Sequence, residues 1–190
     1  MLTAMYGMVN KAVEEMVCKH HGEAEWQKIK KRAGVEVDVF MTNESYPDDV
    51  TYRLVGAASE VLGVPTEQIL NGFGEHWVLH TAQEGYGALM RAGGDNLPDF
   101  LRNLPNFHQR VSMVFPNLQP PRFDCTDITA GSLKLHYFSH REGLAPFVVG
   151  IMRGLGKMFQ TPVTVTRVAA KAEGADHDIF DVTWEPAAAA

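Results

Sequence analysis

From about Tyr6 to Phe115, apolar positions recur at helical spacing, and Gly and Pro cut the pattern into segments of ordinary helix length. Helices are predicted near 6–20, 23–33, 48–62, 65–82, 84–92 and 98–114, with Gly22, Gly34, Gly63 and the Gly93-Gly94 pair as stops. Past Phe115 the pattern changes. Pro116-Asn117-Leu118-Gln119-Pro120-Pro121 excludes helix and forces an extended connection. Strands are predicted near 122–128 and 132–140 around a Thr129-Ala130-Gly131 turn, and near 162–171 and 177–185 across Glu173-Gly174-Ala175-Asp176. Between the two pairs, Phe147, Ile151, Leu155 and Met158 mark one more helix over about 144–159, with Pro146 in its first turn, where a missing N–H costs nothing. The implied fold class is α+β within a single domain over 5–185. It comprises an N-terminal helical lobe (about 5–115) and a four-stranded antiparallel sheet with an inserted helix (about 116–185). Residues 1–4 and 187–190 read as tails.

The run from Leu133 to Arg141 carries the first chemical signal. Strand side chains alternate between faces, so Leu133, Leu135, Tyr137, Ser139 and Arg141 share one side. That side begins apolar and ends in two hydroxyls and a guanidinium fork, a good receptor for carboxylates or phosphates.

Composition narrows the ligand. A chain of 190 residues can bury a core without disulfide or metal staples. A net charge of −6 argues against a nucleic-acid partner, so an anion is met locally. Cys18 and Cys125 match neither a zinc knuckle nor a redox pair, as expected of reduced thiols in a cytoplasmic protein. No membrane segment is expected, because the longest apolar runs fall short of the roughly 20 residues that a spanning helix requires. Met1 to Val13 also lacks the basic start and apolar block of a signal peptide.

Eight histidines are candidates for metal or acid–base work. His20-His21 suits a helix end, and His177, between two aspartates at a turn, is expected to face solvent. His76 and His80 are spaced to share a metal ion, but a zincin reads His-Glu-x-x-His, and here Trp77 follows His76 and Glu75 precedes it. His136 and His140 fall on the strand face opposite Tyr137, facing solvent or packed on a neighbouring element. His108 differs, because its helical neighbours Leu101, Leu104, Val111 and Phe115 are apolar. A buried imidazole needs a partner. Either a backbone carbonyl satisfies a structural histidine, or one ring nitrogen is so oriented while the other ligates an iron porphyrin.

A haem is an apolar disc with two carboxylates on one edge. His108 can supply its axial ligand, Leu104 and Val111 its packing, and Tyr137, Ser139 and Arg141 its anion receptor, with Pro121 between them in sequence. These residues resemble the haem nitric oxide/oxygen binding (H-NOX) family, whose bacterial stand-alone members are related to the haem domain of soluble guanylate cyclase. Tyr137, Ser139 and Arg141 resemble its Tyr-x-Ser-x-Arg propionate clamp. His108, 33 residues before Arg141 (141 − 108), is placed like its proximal iron ligand. The resemblance runs from Met5 to Glu185. It implies haem b (iron protoporphyrin IX) buried between the lobes, Pro121 pressing on the porphyrin, and Gly74 as a pivot of the helical lobe.

Oxygen-holding members of the family place a distal tyrosine five residues after the clamp arginine, a position held here by Pro146. With Val9, Val13 and Leu144 expected to line the distal pocket, the indole N–H of Trp77 is the one polar group expected there. Loss of a hydrogen bond worth roughly 0.5–1.5 kcal/mol, more where charge is involved, shifts oxygen affinity tenfold or beyond. The resemblance thus implies a sensor rather than an enzyme, one that binds NO and CO, discriminates against O2 and weakens the iron–His108 bond on NO binding. The signal then passes to a separate effector such as a histidine kinase or a cyclase. The rival readings are a peroxidase- or nitrite-reductase-like haem enzyme, a metal-free sensor of an amphipathic carboxylate, and an α+β interaction module with a structural His108.

Overall fold

The structure is a computed structural model in which residues 4–114 and 120–185 are described. Phe115, the 116–119 part of the proline-rich connection and the terminal alanines lie outside the described residues.

The helical lobe forms where the pattern places it. α1 (Gly7–His21) buries Ala12, Val13, Met16 and Val17. α2 (Glu23–Ala33) carries Glu23 and Glu25 in its first turn and Lys30, Lys31 and Arg32 in its last, complementing the helix dipole, and ends at a left-handed Gly34. α3 (Asp48–Leu62) opens on Asp48 and Asp49 after Pro47. These helices and α4 (Thr66–His76) close on Trp26, Ile29, Leu54 and Phe73. Each such side chain removed from water contributes about 1.5–3 kcal/mol.

Two features depart from the expected pattern. The helical run continues without a break from α4 through a π-helical turn, Trp77–Thr81, into α5 (Ala82–Arg91), and its backbone kink falls at Tyr86 (φ −140°, ψ 22°). Gln83 does not stop the hydrogen-bond ladder, the kink falls instead between Gly85 and Gly87, and a π turn leaves no local signature. A short ribbon also pairs β1 (Ala4–Tyr6) with β2 (Ser45–Pro47), Met5 opposite Tyr46. Three-residue strands are too short for alternation to show. Ala4, read as part of a tail, belongs to this ribbon.

In the sheet lobe β3 (Arg122–Thr126), β4 (Ser132–Phe138), β5 (Val163–Ala169) and β6 (Asp178–Trp184) form an antiparallel sheet of order β3-β4-β6-β5. Leu133, Leu135 and Tyr137 of β4 face the core, as alternation requires, but the strand stops at Phe138 rather than near residue 140, so Ser139 and Arg141 lie beyond it and not on its face. α6 (Leu97–Val114) and α7 (Ala145–Met158) join this core through Leu97, Phe100, Leu101 and Met152. His177 is a correction: it is half-buried on the outer face, stacked on Phe138 with centroids 3.9 Å apart and hydrogen-bonded to His136 at 2.8 Å. The lobes meet where α4 crosses α7, backbone on backbone. A Cβ on Gly74 would lie 2.2 Å from the Phe147 oxygen, and one on Gly150 would lie 2.1 Å from the Asn71 oxygen.

Candidate functional site

Between the lobes lies a cavity of about 420 Å³ with mainly hydrocarbon and aromatic walls. One wall comes from the helical lobe and the start of α7, including Val9, Leu70, Phe73, Trp77, Leu144 and Phe147. The other comes from α6 and the sheet, including Leu104, Phe107, Val111, Phe123 and Tyr137, with Pro121 at the entry to β3.

His108 opens onto this cavity from α6. Its Nδ1 lies 3.2 Å from the Leu104 oxygen one turn earlier. A ring nitrogen facing a carbonyl must carry the proton, so Nδ1–H donates and the basic lone pair sits on Nε2. Burial holds the imidazole below its ordinary pKa, only partly opposed by the bond to Leu104, which keeps it neutral at physiological pH. This is the tautomer and charge state that a metal ligand requires. Phe123 packs on the ring at 5.0 Å, and Tyr137 packs on Phe123 at 5.3 Å, because β3 and β4 pair these two residues in register.

That aromatic row ends at the anion receptor. Tyr137 is 4% exposed, and burial raises its phenol above the ordinary value against the opposing influence of Ser139 and Arg141, so it remains a donor. The Ser139 hydroxyl accepts the Arg141 N–H at 3.0 Å and so sets the turn that brings the guanidinium back to the cavity. Arg141 is also gripped by Asp48, with Nε to Oδ2 at 2.8 Å and Nη2 to Oδ1 at 3.3 Å, both side chains 9% exposed. One helical turn on, the Tyr52 hydroxyl donates to the Glu142 carbonyl at 2.9 Å. Sequence reasoning missed both α3 residues. Asp48 stands in the first turn of α3, where an acid suits the helix dipole, and only its pairing with an arginine 93 residues away reveals a second role.

Residues 6–167 match the family model described as haem-NO-binding. The chain belongs to this family, the H-NOX domains. Among similar curated proteins are soluble guanylate cyclase gcy-35 of Caenorhabditis elegans, 31% identical over 94% of this chain and 27% of that protein, and soluble guanylate cyclase gcy-32 of the same organism, 32% identical over 85% of this chain and 24% of that protein. The chain therefore spans about a quarter of the length of these relatives. Among solved structures, an H-NOX protein from S. oneidensis in the Fe(II)NO state superposes with a TM-score of 0.85 at 18% identity, covering 95% of this chain and 99% of that one. An Fe(II) unliganded H-NOX protein from K. algicida gives 0.84 at 20% identity, over 98% and 100%. At these identities the superpositions speak for the α+β fold.

Haem is the cofactor of this family, and the side chains of the H-NOX cavity fit it. The cavity joins apolar walls, an imidazole fixed in the ligating tautomer, and two hydroxyls beside a guanidinium. Of the residues expected at the distal side, Val9, Trp77 and Leu144 line the cavity, whereas Val13 and Pro146 do not. Val13 is fully buried inside the helical-lobe core, because it falls one turn beyond Val9 as α1 dives beneath α3 and α4. Pro146 occupies the first turn of α7, so the residues that reach the cavity are Leu144 and Phe147. Tyr86, overlooked in the sequence, also lines it, with its hydroxyl 3.9 Å from Met8 Sδ. His76 and His80 pack at a tilt with ring centroids 4.7 Å apart, but the Lys19 ammonium donates to His80 Nε2 at 2.8 Å. Among the described residues no three His, Cys, Asp or Glu side chains converge as a metal site. No helix among the described residues is long and apolar enough to cross a membrane.

Proposed function

We propose that this H-NOX domain is a gas sensor in which His108 Nε2 is the proximal ligand of a ferrous haem b and Tyr137, Ser139 and Arg141 hold the propionates. It binds NO and CO, discriminates against O2, and signals to a separate effector such as a histidine kinase or a cyclase. The observation that carries the reading is the bond from His108 Nδ1–H to the Leu104 carbonyl inside an apolar cavity that also contains the clamp. Held by His108 and the Tyr137, Ser139 and Arg141 side chains, haem would supply the iron that takes the gas and a bond to His108 that NO would weaken. The rest falls to the chain. Leu104 orients the imidazole, Phe123 limits its tilt, and the Asp48–Arg141 pair presets the guanidinium. Gly74 and Gly150 give the lobes a close crossing about which to turn.

Selectivity rests on the helical-lobe wall. Leu144 and Phe147 carry no donor, Trp77 lies on the same wall, and the Tyr86 hydroxyl is turned to Met8 Sδ. Dioxygen needs a donor for the negative charge on its outer atom, whereas NO and CO need little. Reduced protein is expected to show the Soret band of five-coordinate haem, to change it with NO and with CO, and to form no stable oxy complex in air. His108→Gly should lose that spectrum and regain it with added imidazole. Unchanged coordination in the variant, or a stable oxy spectrum in the native protein, refutes the corresponding half of the reading.

A further inference from the structure

Pro105 lies inside α6, three residues before His108. Proline has no N–H, so the Leu101 carbonyl four residues earlier cannot receive its normal helix bond. Leu101 is fully buried, which denies that oxygen water as well. The missing donor comes from another element. Cys125 on β3 donates its thiol to the Leu101 oxygen across 3.3 Å. Burial, with Asp124 adding to it, pushes that thiol up to about 11, so it stays protonated at neutral pH.

β3 therefore meets α6 on both sides of the interrupted rung. Cys125 holds the helix at Leu101, and Phe123, two residues back on the same strand face, lies against the His108 ring. We propose that Cys125 is a positioning residue for His108: its thiol replaces the backbone donor that Pro105 removes and tethers α6 to β3, so the imidazole cannot follow the iron freely. The inference rests on the reading of His108 as the haem ligand. Its consequence is an iron–histidine bond kept under tension and therefore easily released.

The test compares Cys125→Ala, Cys125→Ser, Pro105→Ala and the double variant Pro105→Ala/Cys125→Ala. In haem-loaded ferrous protein, Cys125→Ala is expected to shift the iron–histidine stretching band in the resonance Raman spectrum to higher frequency. It should also raise the six-coordinate fraction of the NO complex. Cys125→Ser, which keeps a donor, should stay near the native values even if Cys125→Ala folds poorly. Once Pro105→Ala restores the backbone N–H, deleting the thiol should produce no further shift. In protein without haem, the infrared S–H band should move toward that of an unbonded thiol in Pro105→Ala. A stretching band unmoved by Cys125→Ala, an equal shift with and without Pro105, or an S–H band indifferent to Pro105 overturns the proposal while leaving haem binding intact. A wild-type protein with no Soret band overturns the haem reading itself, and the tension with it.

Discussion

Asp48→Asn tests whether the anion receptor is built for a carboxylate partner. Asp48 and Arg141 form a two-point ion pair with both side chains 9% exposed, so the substitution removes the carboxylate that faces a buried guanidinium. Breaking such a pair costs about 3–5 kcal/mol, and the amide, which keeps the shape and one oxygen, places this case near the low end at about 3 kcal/mol. With haem bound, a propionate faces the same guanidinium and takes over much of the compensation, leaving a cost of about 1 kcal/mol, typical of a lost hydrogen bond. Linkage then requires the difference of about 2 kcal/mol to reappear as haem affinity, roughly 30-fold tighter in the variant. At about 2–4 °C per kcal/mol, the apoprotein should melt about 6–12 °C lower and the haem-loaded protein only a few degrees lower. Scanning calorimetry of both forms, with haem transfer to a competing apoprotein, measures all three quantities. Equal destabilisation of the two forms, or haem affinity unchanged or weakened, refutes the placement of a propionate at Arg141.

Further expectations concern other parts of the site. Gly74→Ala sets a Cβ 2.2 Å from the Phe147 oxygen and 2.7 Å from the Ile151 nitrogen, so α4 and α7 must separate. A loss of about 1–3 kcal/mol is expected in urea unfolding, and an unchanged midpoint would show that the crossing is not tight. Phe147→Tyr adds a hydroxyl to the cavity wall and should slow O2 dissociation at least tenfold, read by stopped-flow spectroscopy. Tyr86→Phe, which removes a hydroxyl beside Met8, should leave O2 behaviour as it was. Burial, with His80 and Lys19 nearby, holds His76 down at about 4 rather than 6.5. The unfolded chain therefore binds more protons between these values. Stability should be intact above about pH 6.5 and fall as pH drops toward 4, by at most about 1.4 kcal/mol per pH unit from this group. His76→Met should flatten that slope in urea titrations at pH 7, 6 and 5, and an unaltered slope would assign it to other groups.

Much of this protein is visible in the chain because the relevant signals are local. Apolar spacing with Gly and Pro punctuation marks the helices to within a few residues, and alternation marks the sheet strands. What stayed hidden has a common cause. The π turn at Trp77–Thr81 replaces one hydrogen-bond register with another without any special residue, and the β1–β2 ribbon is too short for periodicity to register. Pro146 occupies the expected position after Arg141, yet α7 turns Leu144 and Phe147 to the cavity instead. Residue spacing alone cannot say which side of a helix's first turn meets a neighbouring lobe.

The sequence by itself determined the α+β order of elements, Tyr137 on the core face of its strand, and an imidazole on an apolar helix face, since each follows from the period of a single element. Only the tertiary structure decided that Leu104 sets the His108 tautomer within a walled cavity, that Asp48 grips Arg141, and that a thiol on β3 serves the carbonyl orphaned by Pro105. The physical reason is range. Periodicity is written along the backbone, whereas buried charges and unsatisfied carbonyls are resolved by whichever distant group folding brings within hydrogen-bond reach.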